Sequence, residues 1–518
     1  MTTLLESLNY QPTQLAFGTS GLRGLVSDMT DLECYINALG FIEFLKEKYQ
    51  LSAGATIYIA GDLRTSTLRI MGAVHQAITD SGYISENCGL IPTPALMHYA
   101  LQKSGASIMV TGSHIPADRN GVKFNTPDGE VLKGDEKDIN AAVAVVRERL
   151  YSTDLQNTLF DQSGSFTAPP SLPEVSKNAL TAYKERYLAA FSGKPFSGKK
   201  IIFYQHSSVG RDVFVDILKE CGAEVVPVGR SDTFVPIDTE NVTKKDQEYF
   251  KGLAREHPDA FAIISTDGDS DRPFVVDENG IFHRGDVVGA IVALWLGTDF
   301  AAIPISSSDA VNDYLADHSI NYIHTKIGSP YVIAAMQEAA DQGKSNPVGW
   351  EVNGGFLLGE DCLVGDTQLA ALPTRDAALP IFAVLMAAIQ EECSLSRLFA
   401  KLPARFTQAG LVDNFPIETS LGLMEQFSKD TEETYTALEN YFTSDLGFGE
   451  VRDINAIDGI RITFSNGDIA HLRSSRNAPQ LRIYSVAASQ ERADEIVELA
   501  IAEPNGIIRA IERDFANT

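Results

Sequence analysis

At 518 residues, 44% of them hydrophobic and 21% charged, the chain is too long for one core and has the composition of a soluble globular protein, so several independent cores are expected. A formal charge of −27 excludes the basic footprint that nucleic acid or an anionic membrane demands, and leaves any anionic ligand to locally gathered Arg and Lys. Cys34, Cys88, Cys221, Cys362 and Cys393 fall without metal-ligand spacing and suit a reducing, cytoplasmic compartment.

The amino terminus has no basic segment followed by an apolar run, so no secretory signal is expected. The sequence FGTSGLRG comes next, where Gly18, Gly21 and Gly24 loosen the backbone while Ser20 and Arg23 offer donors. Such a loop can wrap a phosphate, but it lacks the lysine of a P-loop and the spacing of a dinucleotide fingerprint, so an ordinary glycine-rich turn is an equal reading. A β-branched strand is predicted over Ala55–Asp62, a helix over Ser66–Asp80, and a strand over Ala106–Val110 that runs straight into TGSHIPADRNGVKF. Alternation of this kind places ligands at strand ends. In that loop Gly112 lets the chain turn and expose Ser113, a hydroxyl that could carry a phosphoryl group, and Lys123 could neutralise or deprotonate what is transferred. His114 beside it reads equally as a hydrogen-bonded structural histidine.

The Ser-, Pro- and Gly-rich stretch Asp161–Pro173 marks a boundary. A second αβ unit is predicted from KKIIFYQ, a helix over Arg211–Cys221 and the strand AEVVPVG. The strand DAFAIIS then delivers TDGDSDRP. Asp267, Asp269 and Asp271 repel one another there by roughly 3 to 4 kcal/mol per pair at 4 to 5 Å, and so invite a hard cation, with Mg²⁺ favoured where a phosphate shares the site. An EF-hand is excluded because Arg272 stands where that loop needs Gly and because a strand flanks it. PFVVDENG reads as a strand with a turn at Asn279-Gly280.

Asp286 is expected to cap the apolar helix VVGAIVALWLG. The strand AAIPIS, a helix over Asp309–Ala316 and the strand INYIHT follow. In GWEVNGGF, Glu351 and Asn353 beside two glycines suit vicinal hydroxyls, although a hairpin turn is the commoner explanation. The longest apolar run, Ala377–Ile389, holds Pro380 and is too short to span a bilayer. Short alternating strands, GIRITF, DIAHLR and QLRIYSVA, precede a helix over Gln490–Ile501, an α+β pattern. HLRSSRNAP between two of them offers Arg473, Ser474, Ser475, Arg476 and Asn477 as a phosphate clamp.

Taken in order, FGTSGLRG, TGSHIPADRNGVK, DGDSDR, TKIGSPYV, GWEVNGG and RSSRNAP resemble the successive motifs of the α-D-phosphohexomutase superfamily. The resemblance implies an α/β fold: three αβ domains with mixed sheets, over 1–165, 166–285 and 286–402, plus a C-terminal α+β lid domain over 403–518, all around a central cleft. It implies a phosphohexomutase using a phosphoserine at Ser113 and Mg²⁺ on Asp267, Asp269, Asp271 and Ser113. Arg23, His114 and Lys123 are then catalytic. Arg272, Lys326, Glu351, Asn353, Arg473, Ser475 and Asn477 bind substrate. The partners implied are hexose phosphates and a hexose 1,6-bisphosphate, acting on a monomer or homodimer. The sequence departs from the common pattern at Gly355, where an imidazole is usual, and at Asn353, where a hydroxyl is usual. Its E-x-N-G-G and N-A-P versions are similar to a bacterial phosphomannomutase branch, which ranks mannose phosphate ahead of glucose and glucosamine phosphates. A metal-dependent phosphatase is the remaining enzymatic alternative.

Overall fold

The computed structural model describes residues 2–18, 21–240, 242–474 and 479–516. The chain forms two compact units, one of residues 1–298 with 328–398 and one of residues 299–327 with 399–518. Among the described residues no helix is long and apolar enough to cross a membrane.

In the first unit a mixed sheet runs in the order Ala16–Phe17, Leu22–Leu25, Arg119–Thr126, Ser107–Val110, Thr56–Gly61, Ile84–Leu90. Thr56–Gly61 lies parallel to both of its neighbours, and its last five residues are buried, which is why this segment reads as a near-continuous apolar run. Helices Asp31–Tyr49, Thr67–Asp80 and Glu136–Tyr151 supply the core around Phe41, Ile42, Ile70, Val74 and Ile139. The segment after the serine loop is strand Arg119–Thr126, antiparallel to Ser107–Val110 with Met109 opposite Lys123. Lys123 is thus held by a sheet register and not by a loop.

A second sheet runs Phe282–His283, Pro273–Val276, Ala262–Thr266, Lys200–Tyr204, Glu224–Val228. Ala262–Thr266 and Pro273–Val276 form an antiparallel hairpin closed by the pair Thr266 and Pro273, so the acidic residues 267–271 sit in its tip. Strands Val348–Trp350, Phe356–Leu358 and Leu372–Asp376 are antiparallel in turn, and residues 351–355 form the tip of the first pair. Trp350 stacks on Phe356 with centroids 5.8 Å apart.

Asp286 does not cap its helix. The helix spans Gly285–Leu296 with Arg284 at the N-cap, and the Asp286 carboxylate accepts from Arg284 Nη2 at 2.9 Å. From inside the first turn its other oxygen accepts from the backbone N–H of Val287 at 3.0 Å, and an acid there complements the helix dipole.

In the second unit Phe300–Pro304 pairs in parallel with Asn321–Thr325. An antiparallel sheet runs Phe406–Asp413, Gln480–Ala487, Ile469–Ser474, Ile460–Phe464, Val451–Asn455. Helix Gln490–Ile501 starts at Ser489, whose side chain accepts from Arg492 N. It buries Ala493, Ile496, Val497 and Ala500 against Leu481, Ile483 and Leu472, the i, i+3, i+4, i+7 stripe of a helix lying on a sheet.

Candidate active site

The serine turn follows strand Ser107–Val110. Ser113 itself, at φ 54°, takes the left-handed conformation expected of Gly112. A non-glycine residue there costs of order 1 kcal/mol and persists only where its surroundings over-determine it. Asp62, at the end of the neighbouring strand, accepts from Thr111 Oγ1 at 2.8 Å and Gly112 N at 3.2 Å. Arg64, buried, donates from Nη2 to the carbonyls of Ser113 at 2.9 Å and Ile115 at 2.6 Å and from Nη1 to those of Pro116 and Arg119. One guanidinium therefore gathers the carbonyls of the whole loop, and the loop presents its hydroxyl in a fixed direction.

That direction is toward the acidic hairpin tip. Ser113 Oγ donates to Asp267 Oδ2 at 2.5 Å. Asp267, Asp269 and Asp271 are fully buried, and one oxygen from each lies within 4.8 Å of the others. A hydroxyl cluster fixes the tip from behind: Ser208 Oγ lies 2.6 Å from Thr266 Oγ1 and 2.8 Å from Ser270 Oγ. Lys123 Nζ donates to Asp269 at 2.7 Å and Asp271 at 2.6 Å, and Thr93 Oγ1 donates to Asp269 at 2.5 Å. Burial would raise the Asp269 carboxyl, but Lys123 and these hydrogen bonds hold it well below the usual carboxylate range. Asp267 has Arg272 Nε 3.9 Å from its Oδ2, a looser contact than Lys123 makes with its neighbours, and burial with repulsion from Asp269 and Asp271 outweighs that guanidinium and pushes the carboxyl far up.

Asp269 Oδ1 and Asp271 Oδ1 are buried with no hydrogen-bond partner. Orphaned carboxylate oxygens in a fully buried oxygen-only cluster fit a hard divalent cation, so the residues present suit Mg²⁺.

Cations ring the acids. Arg272 Nη1 donates to His114 Nδ1 at 2.9 Å, and the adjacent guanidinium, then burial and Arg23, push the His114 imidazole down to about 2. His114 is therefore held as a neutral imidazole whose Nδ1 accepts the hydrogen bond from Arg272. Arg23 donates from Nη1 to the carbonyl of Thr111 at 3.2 Å, and burial lowers it to about 10, so it remains charged at neutral pH. Glu351 engages Arg375 Nη1 at 3.0 Å, while Arg375 Nε reaches Asp271 at 3.0 Å. The Asn353 amide is committed to protein partners, accepting from Gly355 N at 3.0 Å and donating to Glu240 at 3.2 Å.

The first unit thus brings together Ser113, His114, Lys123, Arg23, Asp267, Asp269, Asp271, Arg272, Glu351 and Asn353. Lys326 and Arg473 lie in the second unit. Ser475 and Asn477 lie outside the described residues, as does Ser20. Sequence reasoning missed Arg64, Thr93 and Arg375. The Gly-Asp ending of the strand Thr56–Gly61 was a signal for the first, since ligand-side residues follow such strands. Arg375 had none beyond its place before an apolar run.

Arg375 also accounts for Gly355. A Cβ at Gly355 would lie 2.6 Å from both Cγ and Cδ of Arg375, so the glycine and the arginine are one feature. We expect Gly355→His to push Arg375 off Asp271 and Glu351, lowering kcat/KM by roughly tenfold or more, the worth of a hydrogen bond to a charged group. Steady-state kinetics check it.

His206 steadies the hairpin from behind, its Nε2 donating to the Thr266 carbonyl at 2.8 Å, and burial pushes its imidazole down from 6.5 to about 4. The unfolded chain takes up a proton near 6.5 that the folded chain refuses, so this stability is whole above 6.5 and is lost as pH falls through about 4, by about 3 kcal/mol. Melting temperature should fall across that window, and His206→Gln should flatten the slope.

A serine held against a buried carboxylate cluster ringed by Lys and Arg is the arrangement of a phosphoryl-transfer enzyme. Family descriptions of phosphoglucomutase/phosphomannomutase alpha/beta/alpha domains I, II and III match residues 14–149, 151–280 and 284–406, and the chain belongs to that family. It is 38% identical to the phosphomannomutase of Sinorhizobium fredii (strain NBRC 101917 / NGR234) over 490 residues, 94% of this chain and 98% of that one. It is also 38% identical to the phosphomannomutase of Salmonella muenchen, over 94% and 95% of the two chains. A solved phosphoglucomutase/phosphomannomutase family protein from Burkholderia thailandensis shares the fold with a TM-score of 0.66 at 17% identity, covering 96% of this chain and 97% of the other.

Proposed function

We propose that this chain is a phosphohexomutase that interconverts hexose 1-phosphate and hexose 6-phosphate through a phosphoserine at Ser113 and a hexose 1,6-bisphosphate, with mannose phosphate as its preferred substrate. The observation that carries the reading is Ser113 Oγ at 2.5 Å from Asp267 in a strained, over-determined turn. The preference for mannose rests on the two phosphomannomutase relatives. The reading keeps the division of the chain at residues 165, 285 and 402, and free thiols at Cys34, Cys88, Cys221, Cys362 and Cys393 suit a cytoplasmic enzyme.

In the forward step the bond from Ser113 Oγ to phosphorus breaks as a bond from the sugar hydroxyl oxygen to phosphorus forms. Ser113 Oγ leaves with the electron pair, and the proton given up by the sugar hydroxyl ends on it, so a phosphoserine and a free sugar hydroxyl become a free serine and a second sugar phosphate. Transfer of this kind asks for positioning and charge neutralisation. Lys123, Arg272 and Arg23 supply positive charge around the transferred group. Asp267, Asp269, Asp271 and Ser113 would hold Mg²⁺, which when bound supplies further neutralisation of the phosphoryl oxygens. Glu351, oriented by Arg375, offers its carboxylate to sugar hydroxyls. Arg473 and Lys326 bind the phosphate that is not transferred. The bisphosphate then turns over and returns its other phosphate to Ser113.

The test is an assay of mannose, glucose and glucosamine 1-phosphates side by side, primed with hexose 1,6-bisphosphate. Formation of 6-phosphates, fastest for mannose, is expected. Release of inorganic phosphate in place of isomerisation overturns the mutase reading.

A further inference from the structure

In the second unit one carboxylate oxygen serves two masters. Asp458 lies in the turn between strands Val451–Asn455 and Ile460–Phe464. Its Oδ2 accepts from Arg473 Nε at 3.1 Å and from the backbone N–H of Ile327 at 3.1 Å. Arg473 belongs to the strand that enters the RSSRNAP segment, and Ile327 follows Lys326. The Lys326 carbonyl in turn accepts from Thr325 Oγ1 at 2.8 Å, so the peptide unit that follows Lys326 is held at both its carbonyl and its N–H.

The turn that carries Asp458 is itself fixed. Buried His471 donates from Nε2 to the Asp458 carbonyl at 2.7 Å. Gly459, at φ +91°, leaves no room for a side chain, because a Cβ there would lie 2.3 Å from the Leu472 carbonyl oxygen and 2.9 Å from His471 Nε2. Asp458 is therefore set in place by its main chain and not by its ion pair. Arg473 uses Nε on Asp458, and among the described residues its two terminal amino groups have no hydrogen-bond partner in the protein. A guanidinium held by Nε presents the remaining edge as a fork, the geometry that takes an oxyanion.

We propose that Asp458 is a positioning residue for substrate phosphate, its single oxygen aligning Arg473 and the Lys326 backbone so that two cations of this unit are presented to one phosphate. This deepens the mutase reading and rests on it. Charge alone argues the reverse. A carboxylate near an anion site lowers its positive potential, so if electrostatics were the whole effect, removing Asp458 would tighten phosphate binding. If alignment dominates, removal weakens it.

Asp458→Ala and Asp458→Asn in the full chain, assayed with mannose 1-phosphate, separate the two. The alanine variant should raise KM about tenfold or more and leave kcat within about twofold, because the lost contact is a charge-assisted hydrogen bond that acts on binding. The asparagine variant keeps an acceptor and should fall between it and wild type. In an Arg473→Ala background Asp458→Ala should cost much less, since it acts through that side chain. An unchanged or lowered KM, or a full effect in the Arg473→Ala background, overturns the proposal. Should the alanine variant fail to fold, the asparagine variant carries the test alone. A wild-type chain inert toward every hexose 1-phosphate overturns the mutase reading instead. Calorimetry with inorganic phosphate then decides this one: weaker binding to Asp458→Ala supports it, and equal binding overturns it.

Discussion

Ser113→Ala should abolish mutase turnover, by a factor on the order of 10³ or more, while the chain still folds, because the reaction loses its covalent carrier and not merely a helper. The fold should survive because the turn is imposed from outside: Arg64 holds the Ser113 carbonyl and Asp62 holds Thr111 and Gly112, all through atoms the substitution leaves in place. The loss is the short hydrogen bond to Asp267 and a long one, 3.4 Å, with His114 Nδ1, about 1 to 2 kcal/mol for an acceptor left buried. A coupled assay for hexose 6-phosphate, alongside thermal unfolding, checks both halves. Activity within tenfold of wild type would sink the phosphoserine assignment. Loss of the labelled phosphoprotein formed on incubation with hexose 1,6-bisphosphate is the companion result.

The serine and acidic loops were legible because each packs its chemistry into consecutive residues after an apolar strand, so local sequence alone brings Asp267, Asp269 and Asp271 together. Residues whose role depends on distant strands were not. Arg375 meets Asp271 across 104 positions, and nothing near it in sequence marks that contact. Helix Asp31–Tyr49 also left no periodic trace, since residues 31 to 42 are buried on every side, and a helix without a polar face shows no stripe to read. Lys123 was legible as a cation but not as a strand residue, because the polar start of Arg119–Thr126 resembles a continued loop. Asn353 shows the same limit at a finer scale. Its amide looks wholly available for a sugar hydroxyl in sequence, whereas the hairpin tip and Glu240 each take one of its hydrogen bonds, contacts that depend on the fold and that its neighbours in the chain do not announce.

Removal of divalent metal should silence the enzyme, with a loss on the order of a hundredfold or more, as expected when charge neutralisation of a transferring phosphoryl group is withdrawn. The competing account is that Lys123 and Arg375 already satisfy the acids, leaving a salt-bridged cluster that needs no ion. Their contacts fall on Asp269 Oδ2 and Asp271 Oδ2, and they leave both Oδ1 atoms buried without a hydrogen bond, with Arg272 Nε 3.6 Å from that of Asp271. Burial and its two acidic neighbours raise the Asp267 carboxyl well above the usual carboxylate range. Ionised carboxylates with oxygens within 4.8 Å of one another repel by roughly 3 to 4 kcal/mol per pair at an effective dielectric near 20, and a divalent ion converts that repulsion into attraction. Cation and proton then compete for Asp267. A raised carboxyl gives up its proton more readily as pH rises, so the apparent affinity for Mg²⁺ should climb with pH and weaken in acid. EDTA-treated protein should recover activity on adding Mg²⁺ and melt at higher temperature with it, by an amount set by the ion's excess over its dissociation constant. Full turnover in metal-free protein would show that the triad is an ion-pair network and that phosphoryl transfer here relies on Lys123, Arg272 and Arg23 alone, and an Mg²⁺ affinity that does not change with pH would show that Asp267 exchanges no proton for the ion.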